Sequence, residues 1–247
     1  MFRYSGVALR PLLFSVPLAC GLSCHILCAQ STTYPSHPVE AIRDQGVEPK
    51  APQPTPVNAA TPDAFQVRYA ANLWTVSSVV NISNSGATSV PNSPLGGTGG
   101  NICVNIYTFD TYEVLLSCCS CFVTPNALVS LDVRASLLSN TLTSEVPNGA
   151  VIELVATAGT SQSGCNPSLV TASGLAAGMR AWGTTAHSLT TKPGSYVLAE
   201  TPFANATLGA GELSWLTAVC AFIQVNGSGQ GICKGCQTGG LGAVESQ

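Results

Sequence analysis

Short runs of alternating apolar and polar residues dominate this chain from residue 64 onward. Phe65, Val67 and Tyr69 alternate with Gln66 and Arg68, the period of a strand with one buried face. Residues 73–82 continue with Trp74, Val76, Val79, Val80 and Ile82, then break at Asn84-Ser85-Gly86. The stretch 86–100, with Pro91, Pro94 and repeated glycines, reads as an exposed loop. Alternation resumes at 102–109, where Ile102, Val104, Ile106 and Thr108 oppose Cys103, Asn105, Tyr107 and Phe109, and 112–116 is expected to return beside it. Further strands are predicted at 127–133, 137–143, 151–156, 179–188 and 195–199, with turns at Pro147-Asn148-Gly149 and Lys192-Pro193-Gly194.

One segment departs from this period. Leu213, Leu216, Val219, Cys220 and Ile223 recur at helical spacing, and Asn226-Gly227 supplies a stop. A short amphipathic helix is predicted over 210–224, with Thr207 as a candidate cap. Its apolar stripe is expected to cover an end or open edge of the sheet, with Cys220 stapling it there. The fold class is therefore mainly β: a single disulfide-stapled β-sandwich or partly open barrel with a short C-terminal helix.

The first 62 residues follow neither period. Arg3 and Arg10 precede a nearly uncharged apolar run to Ala29, the order of a secretory signal peptide over 1–29. Pro17 and Gly21 interrupt that run, which makes an uncleaved membrane anchor the weaker alternative. Lipid attachment at Cys20, Cys24 or Cys28 lacks the Leu-small-small sequence before it. Residues 30–62 hold seven prolines from Pro35 to Pro62, which remove backbone donors and favour an extended spacer. The cysteine-rich β domain then occupies 63–247.

Composition narrows the class further. Only 9% of residues are charged, against roughly a quarter in ordinary soluble domains, while 45% are apolar. A formal charge of -3 gives no broad electrostatic basis for holding nucleic acid. Membrane contact is expected only through the leader or an anchor.

Eleven cysteines are present, and removal of the leader's three leaves eight: Cys103, Cys118, Cys119, Cys121, Cys165, Cys220, Cys233 and Cys236. An even set in an exported chain reads as a disulfide framework, with on the order of a hundred pairings open. Neighbouring Cys118 and Cys119 on an extended backbone point in opposite directions and reach different partners. The run Cys118 to Cys121 is expected to tie a turn to the β body, with Cys220, Cys233 and Cys236 securing helix and tail. Two competing chemistries use the same residues. Cys118, Cys121, Cys233 and Cys236 have spacings suited to zinc, and Cys233-Lys234-Gly235-Cys236 has the spacing of a redox motif. Disulfides account for all eight cysteines by one rule, so no metal or cofactor is assigned.

Hydrolytic chemistry has a poor inventory. His187 with Ser188, Ser173 or Ser195 and Asp132 forms no local motif, and His37 lies in the spacer. Asp110, Glu113, Asp132, Glu145 and Glu153 offer a carboxylate pair or a calcium site, although their spacings are ordinary for strand ends and turns. Trp74, Trp182 and Trp215, with Tyr107, Tyr112 and Phe222, line a groove in one reading and fill the core in the other. Asn81, Asn205 and Asn226 each begin an N-glycosylation triplet.

The phrases Asn101-Ile-Cys-Val-Asn-Ile-Tyr, Cys118-Cys-Ser-Cys, Pro125-Asn-Ala-Leu, and Glu200-Thr-Pro-Phe through Gly231-Ile-Cys-Lys-Gly-Cys carry one resemblance. Over residues 64–243 the chain resembles an uncharacterised family of exported cysteine-rich proteins from acidobacterial-type soil bacteria. The resemblance implies bacterial export and brings no catalytic residues. The expectation is a secreted or cell-surface structural or interaction protein, possible partners being copies of itself or another surface protein. In one version, the strand around Phe65 to Tyr69 is donated to a neighbour; in the favoured one it belongs to its own sandwich. The alternatives are a carbohydrate- or cell-wall-binding module and a secreted thiol-redox or metal-binding protein.

Overall fold

The computed structural model describes residues 55–87, 100–144, 146–234 and 236–238. The leader, most of the spacer, most of the 86–100 loop and Glu145 lie outside the described residues. The strands are β1 (Phe65–Ala70), β2 (Val79–Asn84), β3 (Ile102–Phe109), β4 (Leu115–Val123), β5 (Leu128–Asp132), β6 (Ala150–Ala158), β7 (Met179–Ser188), β8 (Tyr196–Pro202), β9 (Ala204–Asn205) and β10 (Gln237–Thr238). One α-helix, α1 (Ala210–Asn226), lies between β9 and β10. The first sheet runs β4-β3-β6-β1-β9 and the second β10-β5-β2-β7-β8, with antiparallel pairing throughout. The result is an open β-sandwich, as the alternation predicted.

Ile102, Val104, Ile106, Ile152, Leu154 and Ala156 of the first sheet meet Val80, Ile82, Val129 and Leu131 of the second in one buried cluster. The opposite face of the first sheet is covered too. Phe65, Tyr107, Phe109, Cys118 and Val155 form a second cluster with Leu213, Leu216, Cys220 and Ile223 of α1. The helix thus lies across a sheet face rather than over an end or edge, because the outward face of β3 and β1 is itself apolar. Gly209, not Thr207, occupies the cap position and makes no side-chain capping bond, while Gly227 ends the helix in the left-handed conformation with φ 67°.

The chain crosses between the two sheets at both sides of the sandwich. At one side β8 ends in the second sheet and, through buried Phe203, becomes β9 of the first. At the other, Cys118 of β4 bonds to Gly231 and Cys233, and four residues after Cys233 β10 pairs with β5. The tail crossing gives backbone partners to the outer edges of β4 and β5.

Several elements differ from the sequence expectation. Residues 73–78 form a turn, not a strand: Asn72 adopts φ 59° and its carbonyl accepts from Thr75 and Val76. Residues 133–137 form one π-helical turn capped by Asp132, which accepts from the Ala135 amide at 2.7 Å, so 137–143 yields no strand. Cys118 to Cys121 sit in the middle of β4, not in a turn, with Cys118 opposite Tyr107 and Cys119 opposite Ile106. No Gly, Pro or Asn interrupts 115–123, and nearly all of β4 is buried. In β1 the burial is reversed from the simple pattern. Gln66, Arg68 and Ala70 face the second sheet, Phe65 faces α1, and Tyr69 is exposed. Val57 and Asn58 already belong to the folded body, since Asn58 bonds to Ala206 and Leu208.

The buried Arg68 is held by hydroxyls: Nη2 donates to Thr185 Oγ1 at 2.7 Å, and Nη1 and Nε lie 3.4 and 3.3 Å from Ser78 and Thr201. Its guanidinium carbon lies 5.9 Å from the Phe203 ring centroid. Burial lowers its pKa from the ordinary guanidinium value. Gly183 makes room for this group, because a Cβ there would overlap the guanidinium and lie 2.7 Å from the Val79 carbonyl oxygen.

Candidate functional site

The eight cysteines form four disulfides: Cys103–Cys165, Cys118–Cys220, Cys119–Cys233 and Cys121–Cys236. Strand alternation explains the sorting. Cys118 points outward to α1, whereas Cys119 and Cys121 point inward to the tail segment. The four cysteines with zinc-like spacing therefore divide between two faces of β4. Among the described residues, no group of three His, Cys, Asp or Glu side chains is placed to hold a metal. Cys233 and Cys236 each pair with β4 rather than with one another, which places the C-x-x-C sequence in the scaffold. All four bonds fit an oxidising, extracellular environment.

The hydrolytic candidates do not gather. His187 is exposed on β7 opposite Val197, while Asp132 accepts from Ser77 Oγ at 2.6 Å and caps the π-helical turn. No hydrogen bond joins His187 to Ser173, Ser188, Ser195 or Asp132 among the described residues. Asn81 is buried in β2, where its Oδ1 accepts from Ser130 Oγ at 2.5 Å, so it is closed to glycosylation in the folded chain. Asn205 and Asn226 are exposed.

Two adjoining cavities do bring predicted residues together. The first, of about 470 Å³, lies between α1 and the outward face of the first sheet. It is lined by Phe109, Asp110, Glu113, Val151, Glu153, Glu212 and Trp215. Trp215 stacks on Phe109 at 5.3 Å between centroids and 17° between planes. Register places Glu153 opposite Val67 and Tyr107, between apolar neighbours. Burial, reinforced by the nearby Glu212 charge, raises its carboxyl pKa to about 7. Its Oε2 is buried without a hydrogen-bond partner. Tyr107 below it is fully buried, donates to the Pro167 carbonyl at 2.5 Å, and has its phenol pKa raised by burial and by Glu153.

The second cavity, of about 640 Å³, shares Asp110 with the first and is lined by Tyr69, Trp74, Tyr112, Thr143, Ser144 and Asn148, among others. Here the aromatic rings face water: Tyr69 is 56% exposed, Trp74 69% and Tyr112 84%. Their backbones are nonetheless fixed. The Trp74 amide donates to Asn148 Oδ1 and its indole N–H to the Val146 carbonyl, both at 2.9 Å. Asp110 accepts from the Tyr112 and Val114 amides at 2.7 and 2.9 Å, shaping the turn between β3 and β4. Tyr69 lies across Gly149, where a Cβ would overlap its hydroxyl.

Of the groove residues expected from sequence, Trp74, Tyr112 and Trp215 line these cavities. Tyr107 is core, Trp182 lines a separate cavity of about 250 Å³, and Phe222 lies on the outer surface of α1. Sequence reasoning missed Glu212, whereas Asp110, Glu113 and Glu153, members of the carboxylate set it offered, line the first cavity together. The available signal for Glu153 was one carboxylate alternating with Val151 and Val155 on one face of β6. No protein-family model, curated protein or solved structure matches this chain.

Proposed function

We propose that this chain is an exported or cell-surface interaction module whose ligand is a glycan of a cell wall or surface. The observation that carries this reading is the cavity where Tyr69, Trp74 and Tyr112 present exposed rings beside Thr143, Ser144 and Asn148. Contiguous exposed aromatic surface marks a binding region on a monomer. Sugar rings match such a surface, stacking their C–H faces on aromatic faces while their hydroxyls bond to neighbouring polar groups. The hydrogen bonds that hold Trp74 to Asn148 and Val146 limit the ordering cost of binding. The four disulfides support function in an oxidising compartment, and the leader-like start and the bacterial resemblance favour export as the route there. A scaffold of this kind also fits a purely structural surface role, but that role needs no preordered aromatic cavity.

The test is retention on a glycan array and on insoluble cell-wall fractions, with peptide arrays as the comparison. Trp74→Ala and Tyr112→Ala are each expected to weaken binding roughly tenfold or more, the loss of a central aromatic contact. Equal retention of wild type and both variants would move the ligand away from this cavity. Failure of wild type to bind any glycan would reject the proposal.

A further inference from the structure

The charges of the folded body are unevenly placed. Asp110, Glu113, Glu153 and Glu212 are most of its described acidic side chains, and all of them line the cavity beside α1. Arg68, Arg134, Arg180, Lys192 and Lys234 line neither this cavity nor the adjoining one, and no ion pair reaches any of these carboxylates among the described residues. The amides that bond to Asp110 both use Oδ1, and Glu153 Oε2 is buried without a partner. Burial first, and the Glu212 charge second, hold the Glu153 carboxyl up at about 7, as expected where like charge gathers with no cation beside it. A cleft lined by one sign of charge concentrates ions of the other.

The arrangement also narrows the kind of cation. Among the described residues no three of these side chains are placed to share one metal ion. Spread around about 470 Å³, they suit an organic cation instead. Trp215, 42% exposed and held by its stack on Phe109, adds to the same cavity an aromatic surface that attracts cations. Asp110 belongs to both cavities, so a ligand lying on Tyr69, Trp74 and Tyr112 continues into the carboxylates. We propose that the glycan bound here is an amino-sugar polymer with free ammonium groups, its rings stacked in the aromatic cavity and an ammonium group held in the acidic one. The selectivity rests on the glycan reading of the aromatic cavity and adds the charge that chooses among glycans. Acetylation of the sugar nitrogen removes that charge, and a polysaccharide carrying carboxylates is repelled by the same side chains.

The experiment is calorimetric titration of the oxidised, exported protein with a glucosamine oligomer and with its fully N-acetylated counterpart, in mildly acidic buffer that keeps the amines charged. Wild type is expected to bind the ammonium form roughly tenfold or more tightly. That preference should shrink in about 1 M salt, where charges are screened within about 3 Å. Glu113→Gln/Glu212→Gln should abolish the preference and leave affinity for the acetylated oligomer unchanged, whereas Trp74→Ala should weaken both forms alike. An unchanged thermal melt and an intact mass showing all the disulfides establish that the variants are folded. Equal or tighter binding of the acetylated oligomer by wild type overturns the charge selection and leaves the glycan reading standing, as does retention of other glycans with neither oligomer bound. A preference that survives Glu113→Gln/Glu212→Gln also overturns it, placing the cation on another face. Oligolysine bound as tightly, and lost in the same variant, would assign the cavity to a basic peptide. Failure to bind any glycan removes the glycan reading and this selectivity with it.

Discussion

The two sheets of this sandwich are stabilised in different ways. The first lies between the second sheet and α1, so every residue of β3 is buried and β4 is nearly so. All four disulfides end on its strands, at Cys103 of β3 and Cys118, Cys119 and Cys121 of β4. No α-helix among the described residues packs on the second sheet, although Asn81 and Ser130 on its outward face are buried, and no disulfide ends on its strands. Its edge strand β8 is exposed along nearly its whole length, including Tyr196, Val197 and Leu198. Covalent constraint is thus concentrated where the chain must hold a helix and a crossing tail against a sheet. The second sheet relies on interior packing and on close fit around Arg68.

The disulfides offer the largest break in this comparison. Cys119–Cys233 and Cys121–Cys236 span 114 and 115 residues, so they close almost the same loop. With Cys118–Cys220 intact, the loop that either one closes alone runs through the chain near 118–121 and 220–236, roughly 20 residues. Chain entropy then assigns about 3 kcal/mol to the first of the two and about 2 kcal/mol to the second. Replacing Cys121 and Cys236 by Ser should therefore cost about 2 kcal/mol in denaturant unfolding, and replacing both pairs about 5 kcal/mol. A loss from both pairs that merely equals the sum of the two single-pair losses would show that the bonds do not share a loop.

In the second sheet, fit replaces crosslinking. Gly183→Ala on β7 would press a methyl group against the Arg68 guanidinium and the Val79 carbonyl. Overpacking of this kind costs about 1–3 kcal/mol. Arg68→Met, which removes the planar head and its buried charge, should recover part of that loss in the double variant; strict additivity in a thermodynamic cycle would show that the two sites are uncoupled.

The same contrast explains what was legible in the sequence. Strands with one wet face, such as β7, alternate and were placed well. Strands buried on both faces carry no polar reference, so the register of β4 and the covering of the first sheet's outer face were hidden. The helix was legible because Leu213, Leu216, Cys220 and Ile223 keep one period, but the surface it meets depends on distant residues such as Phe65 and Tyr107. Adjacent Cys118 and Cys119 announced opposite directions, whereas their partners are fixed by tertiary packing. For the candidate site, the aromatic residues were visible as a set. Their division into core, rim and groove was not, because Tyr107 and Tyr112 lie five residues apart across the end of one strand.

A pH-dependent effect isolates what the helical cover does to the first sheet. Glu153 owes its raised pKa to burial first and to the Glu212 charge second. In the folded chain it keeps its proton up to about pH 7, while the exposed carboxyl of the unfolded chain releases it near 4.5. The folded state therefore holds the extra proton between these values, and its stability falls as pH rises through that window, levelling off above it. Glu153→Gln should flatten this part of the pH profile in urea unfolding and leave the variant relatively more stable at neutral pH. Replacing Cys118 and Cys220 by Ser loosens the helix over the same carboxyl and should narrow the window by lowering the folded pKa. If that pKa stays near 7 with the helix untethered, the burial comes from the sheet alone and not from the layer that distinguishes it from its partner.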